Sequence, residues 1–342
     1  MFYQIICVVL SIYLFRRFQL SRKMFKQGSP LFTLGYNVYT KTRLGNYLNG
    51  RDLSKTRLEF PDGHSVVDTE EYAGFTITPI PYLKDNYAYL VEDTVTQVAV
   101  VIDPGDADAV QTVVARQGVP LSAIFTTHRH WDHSGGNKKL KSIHHDLAIY
   151  GNAEDRVPGS THKIGDGESV QIGNLKFTAL FTPGHTVGHT VYLLTCAQQG
   201  SPGCLFTGDL LFLAGNGRMF EGPPSQMLSS LDKVCELPDD TAIYPGHEYA
   251  LDDLEFALHI DPENEAVKRK LNWVKGRRKD TKITSPSSLG EEKSYNPFLR
   301  TSQENILRLA DPEYQTATDR QALRAKALFF LRKSKDNFRY KL

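Results

Sequence analysis

The stretch Thr127-His128-Arg129-His130-Trp131-Asp132-His133-Ser134-Gly135-Gly136-Asn137 constrains this chain more than any other. Four side chains able to ligate a metal fall within six residues, directly after the apolar run LSAIF. Burying four such polar groups with no cation to hold them would be costly. A strand that leaves the core into a turn would aim His128 and His130 at one point. The helix that follows would carry Asp132 and His133 to a neighbouring one. Two cations ~3.5–4 Å apart are the natural occupants of such a paired cluster.

Three further candidates follow strand-like runs and sit beside Gly or Pro: His185 in TPGHT, Asp209 in FTGD and His247 in YPGHE. Compact turns of this kind let the backbone crowd a metal while one side chain points inward. Taken singly, a histidine beside a glycine is usually a satisfied polar residue; their recurrence in this order argues for ligation. His64, His144, His145, His162, His189 and His259 lack that context and are read as surface or supporting residues. Cys7, Cys196, Cys204 and Cys235 form no C-x-x-C pair, so neither a disulfide framework nor a thiolate site is expected. Any metal must then be held by His and carboxylate, in a compartment taken to be reducing.

Short β-branched runs recur from Phe75 onward: FTITPI, YAYLVED, VAVVIDPGD, LSAIFTTH, LAIYG, SVQIG, LKFTALFTPGH, TVYLLT and CLFTGD. Helical patterns lie at 107–117, after Gly135 and over 224–236. This predicts a layered α/β architecture, with the His and Asp residues at strand ends, where sites of such folds form. Residues 73–261 are assigned to this domain. From 262 the chain is charged and helix-forming, so 262–342 is expected to be a helical second domain. With 40 basic and 39 acidic residues the net charge is +1, which argues against nucleic acid as a partner.

The N-terminus differs in character. Residues 1–15 are nearly all apolar, and Arg16 and Arg17 follow at once. As a helix they would rise only ~22 Å against a hydrocarbon core of ~30 Å. Spanning requires Arg16, Arg17 and Arg22 to snorkel or the bilayer to thin. Charges placed after the apolar run favour a signal anchor with the catalytic part facing the cytosol, and membrane contact through residues 1–20. The acid-poor, basic composition makes mitochondrial targeting the second choice. Residues 1–24 are therefore read as an anchor or targeting segment. Residues 25–72 show no sustained period and read as a linker or membrane-proximal collar.

The motif His128-x-His130-x-Asp132-His133, followed by His185, Asp209 and His247, resembles the metallo-β-lactamase superfamily, in particular its glyoxalase II (hydroxyacylglutathione hydrolase) branch. LLFLAGNGRMFEG (210–222), PGHEYA (245–250) and SSLGEEKSYNPFLR (287–300) are similar to segments of that branch. The resemblance implies an αββα sandwich with the site between the sheet edges and a C-terminal helical part that completes the thiol pocket. It assigns His128, His130 and His185 to one metal, Asp132, His133 and His247 to a second, and Asp209 to a bridge between them. Zinc is the metal it implies first, in some relatives mixed with iron. It also implies hydrolysis of a glutathione thioester such as S-lactoylglutathione by metal-bound hydroxide.

Metal coordination lowers the pKa of water to ~7 from 15.7, so no serine or cysteine nucleophile is needed. Asp132 and Asp209 are the expected catalytic carboxylates, Asp132 also holding the nucleophile by a hydrogen bond. Asp103 either orients a ligand histidine or is a plain turn residue before Pro104. In substrate binding the chain departs from the branch. Arg218 stands where the branch has a lysine, and Phe220 where it has a tyrosine. Tyr249 and Arg300 match its pocket residues, while the lysine expected after Arg300 is absent from 301–304. The alternatives are a one-iron persulfide dioxygenase of the same fold, a nuclease, and a membrane-anchored interaction protein.

Overall fold

Alternation along the strand runs divides their side chains between two faces. The computed structural model, which describes residues 30–196 and 200–338, shows what each face meets. Strands β1 (Glu70–Tyr72), β2 (Phe75–Tyr82), β3 (Asn86–Asp93), β4 (Val98–Ile102), β5 (Leu121–Phe125), β6 (Ala148–Gly151) and β7 (His162–Lys163) pair in chain order. Pairing is antiparallel from β1 to β4 and parallel from β4 to β7. A second sheet uses β8 (Ser169–Ile172), β9 (Leu175–Phe181), β10 (Thr190–Cys196), β11 (Cys204–Gly208), β14 (Ala242–Pro245) and β15 (Ser287–Ser288), in the order β15-β14-β11-β10-β9-β8. Between β11 and β14 lies a hairpin, β12 (Leu211–Phe212) and β13 (Gly215–Asn216).

Alternate residues Phe75 and Ile77, and Tyr87, Tyr89 and Val91, meet Phe177, Ala179, Tyr192, Leu194 and Phe206 across the gap between the sheets. Phe125 lies 4.5 Å from Phe177 and 5.1 Å from Tyr192, ring centre to ring centre. The other face of the second sheet, Val191, Leu205 and Ile243, is covered by helices.

In chain order the helices are α1 (Pro30–Lys41), α2 (Arg43–Glu59), α3 (Ala107–Gln117), α4 (Trp131–Ser134), α5 (Asn137–Ile143), α6 (Pro224–Cys235), α7 (Ala250–Ile260), α8 (Glu265–Lys279), α9 (Leu289–Tyr295), α10 (Glu304–Ala310) and α11 (Arg320–Asn337). Met227, Leu228 and Leu231 of α6 and Leu323, Leu328 and Leu331 of α11 bury against that outer face. Each contributes roughly 1.5–3 kcal/mol. On the first sheet α3 packs over β2 and β3. The Asp106 carboxylate caps it, accepting from the Asp108 and Ala109 N–H groups at 2.9 and 3.2 Å, and Gly118 ends it at φ 72°. This is the expected αββα sandwich.

One expectation needs correction. The stretch 25–72, read as a linker, forms α1 and α2 over much of its described length. Residues 43–59 hold four Leu and three Arg, good helix formers, but carry no apolar stripe, so periodicity alone does not reveal them. The helical part expected from 262 is present as α8 to α11. Residues 56–342 make one compact unit, β15 joins the second sheet, and the boundary falls between α7 and α8. Those two helices pack together through Leu254, Ala257, Val267, Leu271 and Val274. The apolar run of residues 1–24 lies outside the described residues, among which no helix is long and apolar enough to cross a membrane.

Candidate metal centre

The carboxyl ends of β4, β5, β11 and β14 open onto the same edge of the sandwich. β5 delivers His128 through Thr126 and Thr127, β11 delivers Asp209, and β14 delivers His247. The loop after β9 brings His185. Backbone bonds lock these ends together: Thr190 N–H to Thr127 O at 2.9 Å, Gly246 N–H to Gly208 O at 3.0 Å and Tyr87 N–H to Gly246 O at 2.9 Å. Only glycine fits at 246, since a Cβ there would lie 2.7 Å from His133 Cε1 and 3.1 Å from Asp209 Oδ1.

His130 Nδ1 is 3.0 Å from His128 Nε2 and 3.1 Å from His185 Nε2. On the other side His133 Nε2 is 3.2 Å from His247 Nε2, and Asp132 Oδ2 lies 3.8 Å from both. Asp209 stands between the sets. Its Oδ2 is 3.2 Å from His185 Nε2, while Oδ1 is 3.3 Å from His133 Nε2 and 3.2 Å from His247 Nε2. Tetrahedral ligands ~2.0–2.1 Å from an ion lie roughly 3.3 Å apart, so this donor spacing fits metal coordination. Oδ1 of Asp209 is also buried with no hydrogen bond, as expected of a carboxylate oxygen meant for a cation. The residues present fit a two-metal centre.

Each of four histidines is oriented through its other ring nitrogen. Nδ1 of His128 meets Thr127 Oγ1 at 3.0 Å, and that of His185 donates to Arg218 O at 2.8 Å. His133 Nδ1 donates to Asp103 Oδ2 at 3.0 Å and His247 Nδ1 to Asp85 Oδ1 at 2.8 Å. Asp103 is thus both a turn residue, at φ 49°, and a partner of His133. It also accepts from the Thr127 N–H and hydroxyl, each at 2.7 Å.

Burial, and then the neighbouring imidazoles, hold His128 and His130 well below the usual histidine range; burial also lowers His185. His133 and His247 go the other way. Burial opposes their charge, but Asp209 and the partner carboxylates lift both, His247 to about 10. Asp209 itself is held well below the carboxylate range by His247, His133 and His185, against burial.

Asp85 and Arg129 escaped the sequence analysis, and His189, read there as surface or supporting, proves to be supporting. Asp85 has no local signal. His189, fully buried, accepts the Asp209 N–H at 3.1 Å through Nε2 and meets Thr182 Oγ1 at 3.0 Å through Nδ1. Its only sign in the sequence is the second Gly-His of TPGHTVGHT. Arg129, between two ligands, is buried and pairs with Asp155 and Glu221; these also accept from the Gly188 and Val187 N–H groups, bracing the loop that carries His185.

The expected substrate residues divide. The Phe220 ring lies 5.2 Å from that of His185 and 6.0 Å from His130, and Tyr249 stacks on His247 at 4.8 Å. Both flank the cluster. Arg300 instead donates to Asp261 Oδ2 at 2.6 Å, and Arg218 lies with Nε 3.3 Å from Asp336 Oδ1. Beside Arg218, α11 brings two cations that the sequence analysis did not single out. Arg332 donates to Asn216 O at 2.6 Å and to Asp336 Oδ1 at 2.9 Å. Lys335 pairs with buried Asp253, and burial pulls it down to about 7.

Residues 82–247 match the metallo-beta-lactamase superfamily, and residues 248–338 the hydroxyacylglutathione hydrolase C-terminus. A hydroxyacylglutathione hydrolase of Rippkaea orientalis is 44% identical over 226 residues, covering 66% of this chain and 88% of that one. The chain belongs to the hydroxyacylglutathione hydrolase family. Among solved structures, ETHE1 from Myxococcus xanthus is 27% identical with a TM-score of 0.50, covering 78% of this chain and 98% of its own. A metallo-beta-lactamase from Staphylococcus aureus is 22% identical with a TM-score of 0.49, covering 73% of this chain and 68% of its own. The hydroxyacylglutathione hydrolase C-terminal match begins just before α7, which agrees with α7 packing on α8.

Proposed function

We propose that this chain hydrolyses the thioester of a 2-hydroxyacylglutathione such as S-lactoylglutathione, releasing glutathione and the hydroxy acid. The observation that carries the reading is Asp209, with one carboxylate oxygen facing each donor set. His128, His130, His185, Asp132, His133, His247 and Asp209 would hold two divalent cations, whose chemistry would be to activate a water near neutral pH and polarise the thioester carbonyl. Zinc suits an imidazole and carboxylate set at this spacing, with a zinc–iron pair as second choice.

The chain's own residues do the rest. Asp132, the more open of the two carboxylates at 26% exposure against 11%, is placed to orient the attacking water by a hydrogen bond. Its Oδ2 in turn accepts from Asn86 Nδ2 at 3.3 Å. Phe220 and Tyr249 flank the reacting group with apolar surface. Arg218, 55% exposed, offers positive charge to the carboxylates of the thiol portion. The thiolate leaves with little need of protonation. A complete second donor set disfavours the one-iron alternative. Metal-replete protein is expected to turn over S-lactoylglutathione with two cations per chain by elemental analysis. No turnover, with clean turnover of a different ester, would remove the glutathione assignment.

We further propose that residues 1–20 hold the chain at a membrane with its catalytic part in the cytosol, mitochondrial targeting being the second choice. The support is the apolar run followed by Arg16 and Arg17. The full chain should pellet with membranes and resist extraction by high salt, while a chain lacking residues 1–24 stays in the supernatant. Equal partition of the two would dismiss the anchor.

A further inference from the structure

The two donor sets differ in the charge that stands around them. His128, His130 and His185 are neutral donors, and the groups behind His128 and His185 are a hydroxyl, Thr127 Oγ1, and a carbonyl, Arg218 O. The second set contains a carboxylate of its own, Asp132. Both of its histidines are backed by further carboxylates, Asp103 behind His133 and Asp85 behind His247. Asp209 gives one oxygen to each set and so does not distinguish them. Arg129, the cation nearest the first set by sequence, is paired with Asp155 and Glu221.

A carboxylate behind an imidazole makes its ligating nitrogen more basic, and removing such a partner typically costs 10–100-fold in metal affinity. Two dications a few ångströms apart also repel, so the second to bind meets a penalty the first does not. We propose that the Asp132–His133–His247 set, with Asp209, fills first and holds its cation more tightly than the His128–His130–His185 set. The latter fills second and exchanges its cation more readily. The inference rests on the two-cation reading of the site.

The test uses the metal-free full-length chain, titrated with cobalt(II) by visible absorbance and with zinc against a competing chelator. The native chain should bind two equivalents in two steps. His185→Gln should keep the tight equivalent and lose the weak one, and His247→Gln should lose the tight one. Asp85→Asn should weaken the tight step by about 10–100-fold and leave the other nearly unchanged. Far-UV circular dichroism checks that each variant folds. If Asp85→Asn does not fold, the two histidine variants still decide the order. Loss of the tight equivalent in His185→Gln, or steps of equal affinity, would overturn the loading order alone. A native chain that binds fewer than two equivalents would instead bring down the two-metal hydrolase reading itself.

Discussion

Asp209→Ala should lower kcat/KM for the thioester by at least about 10³-fold, on the scale of removing a main electrostatic donor from an active site. It should also take the metal content from two per chain to one or fewer. Asp209 faces both donor sets: its Oδ2 is 3.2 Å from His185 Nε2 and its Oδ1 is 3.2 Å from His247 Nε2. The fold should survive, because the bond from its N–H to His189 belongs to the backbone and stays. A mere fold defect would lower kcat/KM in proportion to the folded fraction and leave the metal content of folded protein at two. Asp209→Asn, which keeps one neutral oxygen, should fall between alanine and native. Native-like turnover by the alanine variant, within about tenfold, would refute the bridging role.

Removing the metals should abolish turnover reversibly and also lower stability. Free cation at 1,000-fold over its dissociation constant stabilises the fold by about 4 kcal/mol per site. A domain of this size shifts by about 2–4 °C in Tm per kcal/mol, so stripping both sites should cost on the order of 10 °C or more. The pH dependence has a definite sign. In the metal-free protein burial lowers His247, but Asp209 and Asp85 outweigh it and raise the ring from 6.5 to about 10. A folded-state pKa above the unfolded value contributes stability that is complete below pH 6.5 and fades as pH rises toward 10. A bound cation replaces that proton, so the loaded protein does not share the loss. The gap in Tm between loaded and stripped protein should therefore widen from pH 6.5 to 9, and stripping should be easier in mild acid. Scanning calorimetry at three pH values, with and without chelator, checks both. A gap that does not change with pH would contradict the proton–metal exchange.

What the sequence alone determined about this protein was local. His128, His130, Asp132 and His133 sit within one strand–turn–helix. His185, Asp209 and His247 each announce themselves by a glycine turn after an apolar run, so the donor set and the strands that carry it were legible from spacing. Tertiary structure decided what stands behind and around those donors. Asp85 meets His247 across 162 residues of chain, and Arg332 reaches Asn216 across 116. No pattern within a few residues encodes a pairing of that separation. Arg300 shows the same limit from the other side: its neighbours in sequence suggested a substrate contact, and only the fold shows that Asp261 pairs with it. The helix α2 escaped because its polar sequence carries no apolar period. Ligand identity is written in residue type and local turn geometry, whereas orientation, charge and neighbours arise only when distant segments share one buried edge.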